Sequence, residues 1–198
     1  MGARKVFWNF NQEKTLMDWS KTKSDLKQRI VQEGEAYLSG QLKLATSADQ
    51  RASMLAGAFA AAGTAIIAGL ITLHAAEKIT LTQKFPIYLG GGVAAASFLI
   101  AAGLCIRAIF PVGFWLPGNE PKSWYGDVTT GRTLDEAMGE EAEHIQAKIE
   151  DNRAVIKANA SRFKWGATLG ITAPVAGFIV WLISASSFWI FVRQTFSS

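Results

Sequence analysis

The sequence predicts an all-α integral membrane protein, with three transmembrane helices and long amphipathic cytosolic helices preceding the first and third spans. Three observations predict it. The chain of 198 residues is 49% hydrophobic and only 18% charged, too apolar for a disordered protein. Its apolar residues gather in three runs free of Asp, Glu, Lys and Arg, at 52–76, 85–106 and 165–192. The polar segments ahead of the first and third runs carry apolar side chains at helical spacing.

Residues 1–51 form a cytosolic amphipathic arm. From Glu13 to Gln50 there is no proline, and Leu16, Trp19, Leu26, Ile30 and Tyr37 recur at spacings of three, four or seven, with Leu42 five further on and gaps at polar positions, as one apolar stripe. Gly34 and Gly40 weaken this helix, but no strong breaker precedes Ala52, so it is expected to enter the first span directly. Met1-Gly2-Ala3-Arg4-Lys5-Val6 lacks the Ser or Thr of an acylation signal, and the first apolar run starts too far along the chain for a cleaved signal peptide.

The runs at 52–76, 85–106 and 165–192 hold 25, 22 and 28 residues, and about 20 suffice to cross a ~30 Å hydrocarbon core. A soluble protein burying them as a hairpin would have too little polar chain to wrap them. In the first span Gly57, Ala61, Ala65 and Gly69 recur every four residues, a smooth strip that lets helices approach closely. It serves either packing against the second span, where Gly91 with Ala95 and Gly92 with Ala96 offer the same spacing, or self-association into a homo-oligomer. Gly90-Gly91-Gly92 lacks the Lys-Ser or Lys-Thr of a phosphate loop and permits only close packing. In the third span Pro174 is expected to kink the helix, while Trp165 opens it and Phe188, Trp189 and Phe191 close it at headgroup level.

Residues 107–133 read as an irregular connector, with Pro111, Pro117, Pro121 and four glycines between Phe110 and Arg132. Its aromatics either rest at the headgroups or, as Trp124 and Tyr125 beside Lys122 and Arg132, form a platform for a nucleotide base and phosphate. Residues 134–164 form the second cytosolic helix: Thr133 with Glu136 makes a capping-box start, and Leu134, Met138, Ile145, Ile149, Ile156 and Phe163 mark its apolar face. Seven acids against one base over 134–151, then four bases and no acid over 153–164, suit the helix dipole and the anionic headgroups beyond. The acids Glu140, Glu141 and Glu143 point to different sides of a helix, which favours a solvated face over a metal site. Both cytosolic helices lead into the membrane from one side, so they are expected to pair in parallel.

Three spans put the arm and residues 107–164 on one face with 17 Lys or Arg, and only Lys78, Lys84 and Arg193 on the other. Positive residues favour the cytoplasm, which places the N-terminus inside and the C-terminus outside. The net charge of +4 comes from this distribution and does not imply nucleic acid as a partner. One cysteine, Cys105, excludes an intrachain disulfide framework and Cys-rich zinc sites, and His74 and His144, assigned to opposite faces, exclude a His-based triad. No enzyme and no cofactor is expected.

Two further stretches carry a resemblance. Ala48-Asp49-Gln50-Arg51-Ala52 at the entry to the first span is similar to an Ala-Asp-x-Lys-Ala pattern, and Ser123-Trp124-Tyr125-Gly126-Asp127-Val128 resembles an aromatic-aromatic-Gly-Asp/His-Ile element; both belong to the bacterial Pycsar transmembrane effectors, related to SLATT-type anti-phage effector domains. Arg51 stands for the more usual Lys, and Trp124-Tyr125 for Phe-Phe. The resemblance covers the chain from about Leu42 onward. It implies an anti-phage effector of the bacterial inner membrane that answers cyclic UMP or cyclic CMP from a partner cyclase by oligomerising and disrupting the bilayer. On that reading Lys122, Trp124, Tyr125 and Arg132 take the ligand, and Gly57, Ala61, Ala65 and Gly69 mediate assembly. The competing expectation is a non-enzymatic membrane scaffold whose cytosolic helices recruit a soluble partner. A small ion channel is weaker, because no span carries an intramembrane charge.

Overall fold

The computed structural model describes residues 19–75, 81–109 and 113–195, without the side chains of Ser20, 81–83 and 187–195. Four helices organise them: α1 (Ser24–Ala75), α2 (Leu81–Ile109), α3 (Tyr125–Thr130) and α4 (Leu134–Thr195), with 3-10 turns at Trp19–Lys21 and Pro121–Trp124. No strand occurs among the described residues. α1, α2 and α4 are each long and apolar enough to cross a membrane, and at most a third of each one's most apolar stretch is buried within the chain. The chain divides into two compact units, Met1–Glu35 with Gly118–Gln146, and Ala36–Pro117 with Ala147–Ser198.

In the first unit, α1 begins later than periodicity predicts. Thr22 and Lys23 are not helical, and the Leu26 and Lys27 amides donate to the Lys23 carbonyl at 3.0 and 3.2 Å. Trp19 is drawn onto α4 instead: its indole Nε1 donates to Glu143 Oε1 at 3.1 Å, and its ring packs over Gly139. That tertiary anchor outweighs the helical register of the apolar stripe. Leu16 lies outside the described residues. The stripe is not the buried face of α1 either, because Leu26, Ile30 and Tyr37 are exposed while Lys27 is 2% exposed. Two devices explain this. Lys27 Nζ pairs with Asp135 Oδ2 at 2.5 Å and donates to the Asp135 carbonyl, so the buried cation meets its counter-charge at a half-exposed carboxylate. Gly34 lets α4 come so close that a Cβ there would lie 2.6 Å from Ile145 Cγ2. Pairs 27 with 135 and 34 with 145 ascend together, so the helices run parallel, as their shared point of entry predicts.

α4 starts at the predicted capping box. The Thr133 amide donates to Glu136 Oε2 at 3.0 Å, and the Glu136 amide donates to Thr133 Oγ1 at 3.4 Å. Met138 and Ile145 are buried, whereas Leu134, in the first turn, is exposed. The connector is less irregular than its Pro and Gly content predicts. Pro121 occupies the first position of a 3-10 turn, Asp127 sits in the first turn of α3, and Gly131 ends α3 with φ 67°. Proline and glycine here punctuate a short helix rather than abolish one.

In the second unit α1 and α4 again run parallel, with Gln41 bonded to Ile149 and Phe59 seated on Gly170. α2 runs against both. Gly63 faces Leu99 while Leu70 faces Gly91 on the α1 side, and Gly166 faces Cys105 while Gly177 faces Gly90 on the α4 side. A Cβ on Gly90 or Gly177 would lie 2.7 Å from the other's carbonyl oxygen, so only glycine allows this backbone approach. Among the described residues a Cβ at Gly92 would meet nothing within 4 Å. Ala56, Phe59, Ala101, Ala102 and Cys105 form the core, with the Phe59 and Phe98 rings 6.0 Å apart. Such small-residue packing holds helices together by dispersion where surrounding lipid removes the hydrophobic drive. α2 and α4 continue through Pro86 and Pro174. Thr64, Thr72, Thr172 and Ser184 donate to carbonyls four residues back, satisfying their hydroxyls locally.

Candidate functional site

Three features are candidates for a site: the connector residues of the first unit, the small-residue strip of α1, and a cavity in the second unit. Lys122 sits in the Pro121–Trp124 turn, Trp124 ends it, Tyr125 opens α3, and Arg132 follows Gly131. Lys122, Tyr125 and Arg132 are exposed and Trp124 is half-buried. Among the described residues no ring pair joins Trp124 to Tyr125. Arg132 does not stand open to a phosphate. Its guanidinium forks onto Glu140, Nη2 to Oε1 at 2.6 Å and Nη1 to Oε2 at 2.7 Å, and Nη1 also reaches Asp127 Oδ1 at 3.3 Å. Hydrogen bonding to Glu140, then to Asp127, pushes the Arg132 guanidinium further above its ordinary value. The same bond holds the Glu140 carboxyl below its own. An anion binding here must displace Glu140.

Gly57, Ala61, Ala65 and Gly69 all face outward. A Cβ at Gly57 or Gly69 would meet nothing within 4 Å, so the strip takes no part in the contacts α1 makes with α2. Those contacts use Gly63 and Leu70 instead. The neighbouring spans differ in kind, because α2 exposes Leu99, Ile100 and Ile106 and α4 exposes Ile171, Phe178 and Leu182.

Where α1, the end of α2 and α4 meet, a cavity of about 370 Å³ opens. Leu42, Ala45, Ile109, Phe114, Ile156 and Phe163 give it apolar walls, with Thr46, Asp49, Arg51 and Asn159 as its polar groups. Desolvation raises the Asp49 carboxyl above its usual range. Asn159 Oδ1 accepts from Arg162 Nη1 at 2.9 Å.

The sequence flags neither this cavity nor Asn152, which is fully buried and exchanges two hydrogen bonds with the Trp115 backbone. Asn152 follows Asp151 in what reads as a solvated charged stretch, and its only sequence signal is a spacing of seven from Ile145 on the apolar face. Of the three neighbouring acids, Glu140 binds Arg132, Glu143 accepts from Trp19, and Glu141 lies 3.9 Å from His144. Among the described residues no cluster of three or more His, Cys, Asp or Glu is placed to hold a metal ion. No family model, curated protein or solved structure matches the chain.

Proposed function

We propose that the chain is a non-enzymatic effector of the bacterial inner membrane, with its N-terminus in the cytoplasm, that answers a cyclic nucleotide by oligomerising and breaching the bilayer. Its likeness to the Pycsar transmembrane effectors supplies the signal, cyclic UMP or cyclic CMP. The observation that carries the reading is the outward strip Gly57, Ala61, Ala65 and Gly69, which contacts among the described residues leave unused. α1 and α4, which carry two of the spans, also build the first unit, so a rearrangement there acts on helices that enter the bilayer. A nucleotide phosphate competing with Glu140 for Arg132 would free the start of α4, with Trp124, Tyr125 and Lys122 alongside to take the base and charge. The ligand must favour the assembled state over the resting one.

The test is membrane potential, read by dye fluorescence in bacteria expressing the chain with and without a co-expressed pyrimidine cyclase. Collapse only with the cyclase supports the effector, and a steady potential in both rejects it. A second reading, a scaffold that recruits a soluble partner, draws support from Leu26, Ile30 and Tyr37, exposed along one face of α1. It expects no loss of potential under any nucleotide.

A further inference from the structure

We infer that the cavity between α1, the end of α2 and α4 binds a small apolar zwitterion, an amino acid or a dipeptide, with its ammonium on Asp49 and its carboxylate on Arg51 and Asn159 Nδ2. The cavity lies wholly within the second unit. Apart from Ala52, its lining on α1 and α4 precedes the charge-free runs, so on the membrane reading of these helices a solute enters it from water. The polar groups stand at one level. α1 and α4 run parallel, and the offset of 108 between Gln41 and its partner Ile149 brings Asn159 beside Arg51 and Asp49. Away from the runs, Ala45 and Leu42 continue an apolar wall for about 10 Å beyond Asp49.

Two opposite charges line this cavity without answering each other. Among the described residues neither Asp49 nor Arg51 forms an ion pair or a side-chain hydrogen bond. The Thr46 hydroxyl donates to the Leu42 carbonyl at 3.0 Å, and Asn159 Oδ1 accepts from Arg162, which leaves Asn159 Nδ2 as the amide donor for a ligand. Charge then selects the ligand class. A lone cation would meet Arg51 and Arg162, a lone anion would meet Asp49, and a neutral solute would leave a desolvated carboxylate without a partner. A zwitterion satisfies both signs through charge-assisted hydrogen bonds, while its apolar body takes the walls out of water. The volume of about 370 Å³ is that of a small-molecule site.

The test is isothermal titration calorimetry of the full chain in neutral detergent with leucine and leucyl-leucine, with the amide of each, which lacks the carboxylate, with the N-acetyl form of each, which lacks the ammonium, and with glycine, which lacks the apolar body. One of the two zwitterions should bind at least about tenfold tighter than its amide, its N-acetyl form and glycine, and the tighter of the two tells amino acid from dipeptide. Arg51→Gln, at an exposed position, should bring the zwitterion down to the level of its amide while binding the amide as the native chain does. Asp49→Asn should do the same for the N-acetyl form. Lys157→Gln, an exposed lysine outside the cavity lining, should change nothing. Absence of binding by both zwitterions, capped forms that bind as tightly as the zwitterion, or a discrimination that survives Arg51→Gln and Asp49→Asn overturns the site.

Discussion

Asn152 and the backbone of Trp115 hold each other by two hydrogen bonds: the Trp115 amide donates to Asn152 Oδ1 at 2.8 Å, and Asn152 Nδ2 donates to the Trp115 carbonyl at 2.9 Å. Trp115 Nε1 adds a bond to Asp151 Oδ2 at 3.0 Å, so consecutive residues of α4 fasten the segment that follows α2. Asn152 is wholly buried, and its amide satisfies a peptide group that would otherwise lie unpaired against the helix.

Asn152→Leu removes both bonds and leaves the Trp115 peptide unsatisfied. A loss of about 1–3 kcal/mol is expected, measured by denaturant unfolding in detergent. Asp151→Asn keeps a hydrogen-bond acceptor for the indole and should cost less than half as much. Equal effects would mean that the buried exchange is not the fastening.

Lys27 and Asp135 give a second contrast. Asp135→Ala leaves a buried ammonium without its counter-charge and is expected to destabilise the first unit by about 3 kcal/mol. Adding Lys27→Met to that variant removes the stranded charge and should restore most of the stability. Hydrogen exchange at residues 24–35 and 134–146 reads both changes.

The start of α4 should respond to acid. Backbone and side-chain hydrogen bonds from Thr133 lower the Glu136 carboxyl, and the hydrogen bond from Arg132 lowers that of Glu140. A carboxyl lowered on folding contributes stability that is fully present above its unfolded value, about 4.3 for glutamate, and is lost as pH falls through the lower folded value. Amide protection over residues 133–140 should therefore hold from pH 7 to about pH 5 and fall below about pH 4. Glu136→Gln with Glu140→Gln should flatten that dependence.

The all-helical class and its three apolar helices were legible because charge-free runs and helical spacing are local properties. The capping box was legible for the same reason, since Thr133 and Glu136 are three residues apart. The buried face of the first unit was not. Periodicity selects Leu26 and Ile30, whereas Gly34 admits Ile145 and Lys27 finds Asp135 more than a hundred residues away. Pairing across such distance outweighs the amphipathic stripe and leaves no mark in a single segment. The connector residues were legible as types, but the engagement of Arg132 by Glu140 was not, because it depends on the turn at Gly131.

Gly57→Leu separates folding from assembly. Among the described residues nothing lies within 4 Å of a Cβ at Gly57, so the substitution should leave the chain folded and improve helix propensity by up to about 1 kcal/mol. It should also disrupt close approach between copies, lowering crosslinking in native membranes severalfold. Gly90→Leu, by contrast, drives a side chain into Gly177 and Trp181 and should unfold the bundle.

The most direct test of the account is dye release from vesicles carrying the purified chain, with and without cyclic UMP or cyclic CMP. Release is expected only with nucleotide, reduced at least about tenfold by Gly57→Leu with Ala65→Leu and lost in Trp124→Ala with Arg132→Ala. Tight vesicles under both nucleotides, or the same release without either, would contradict it.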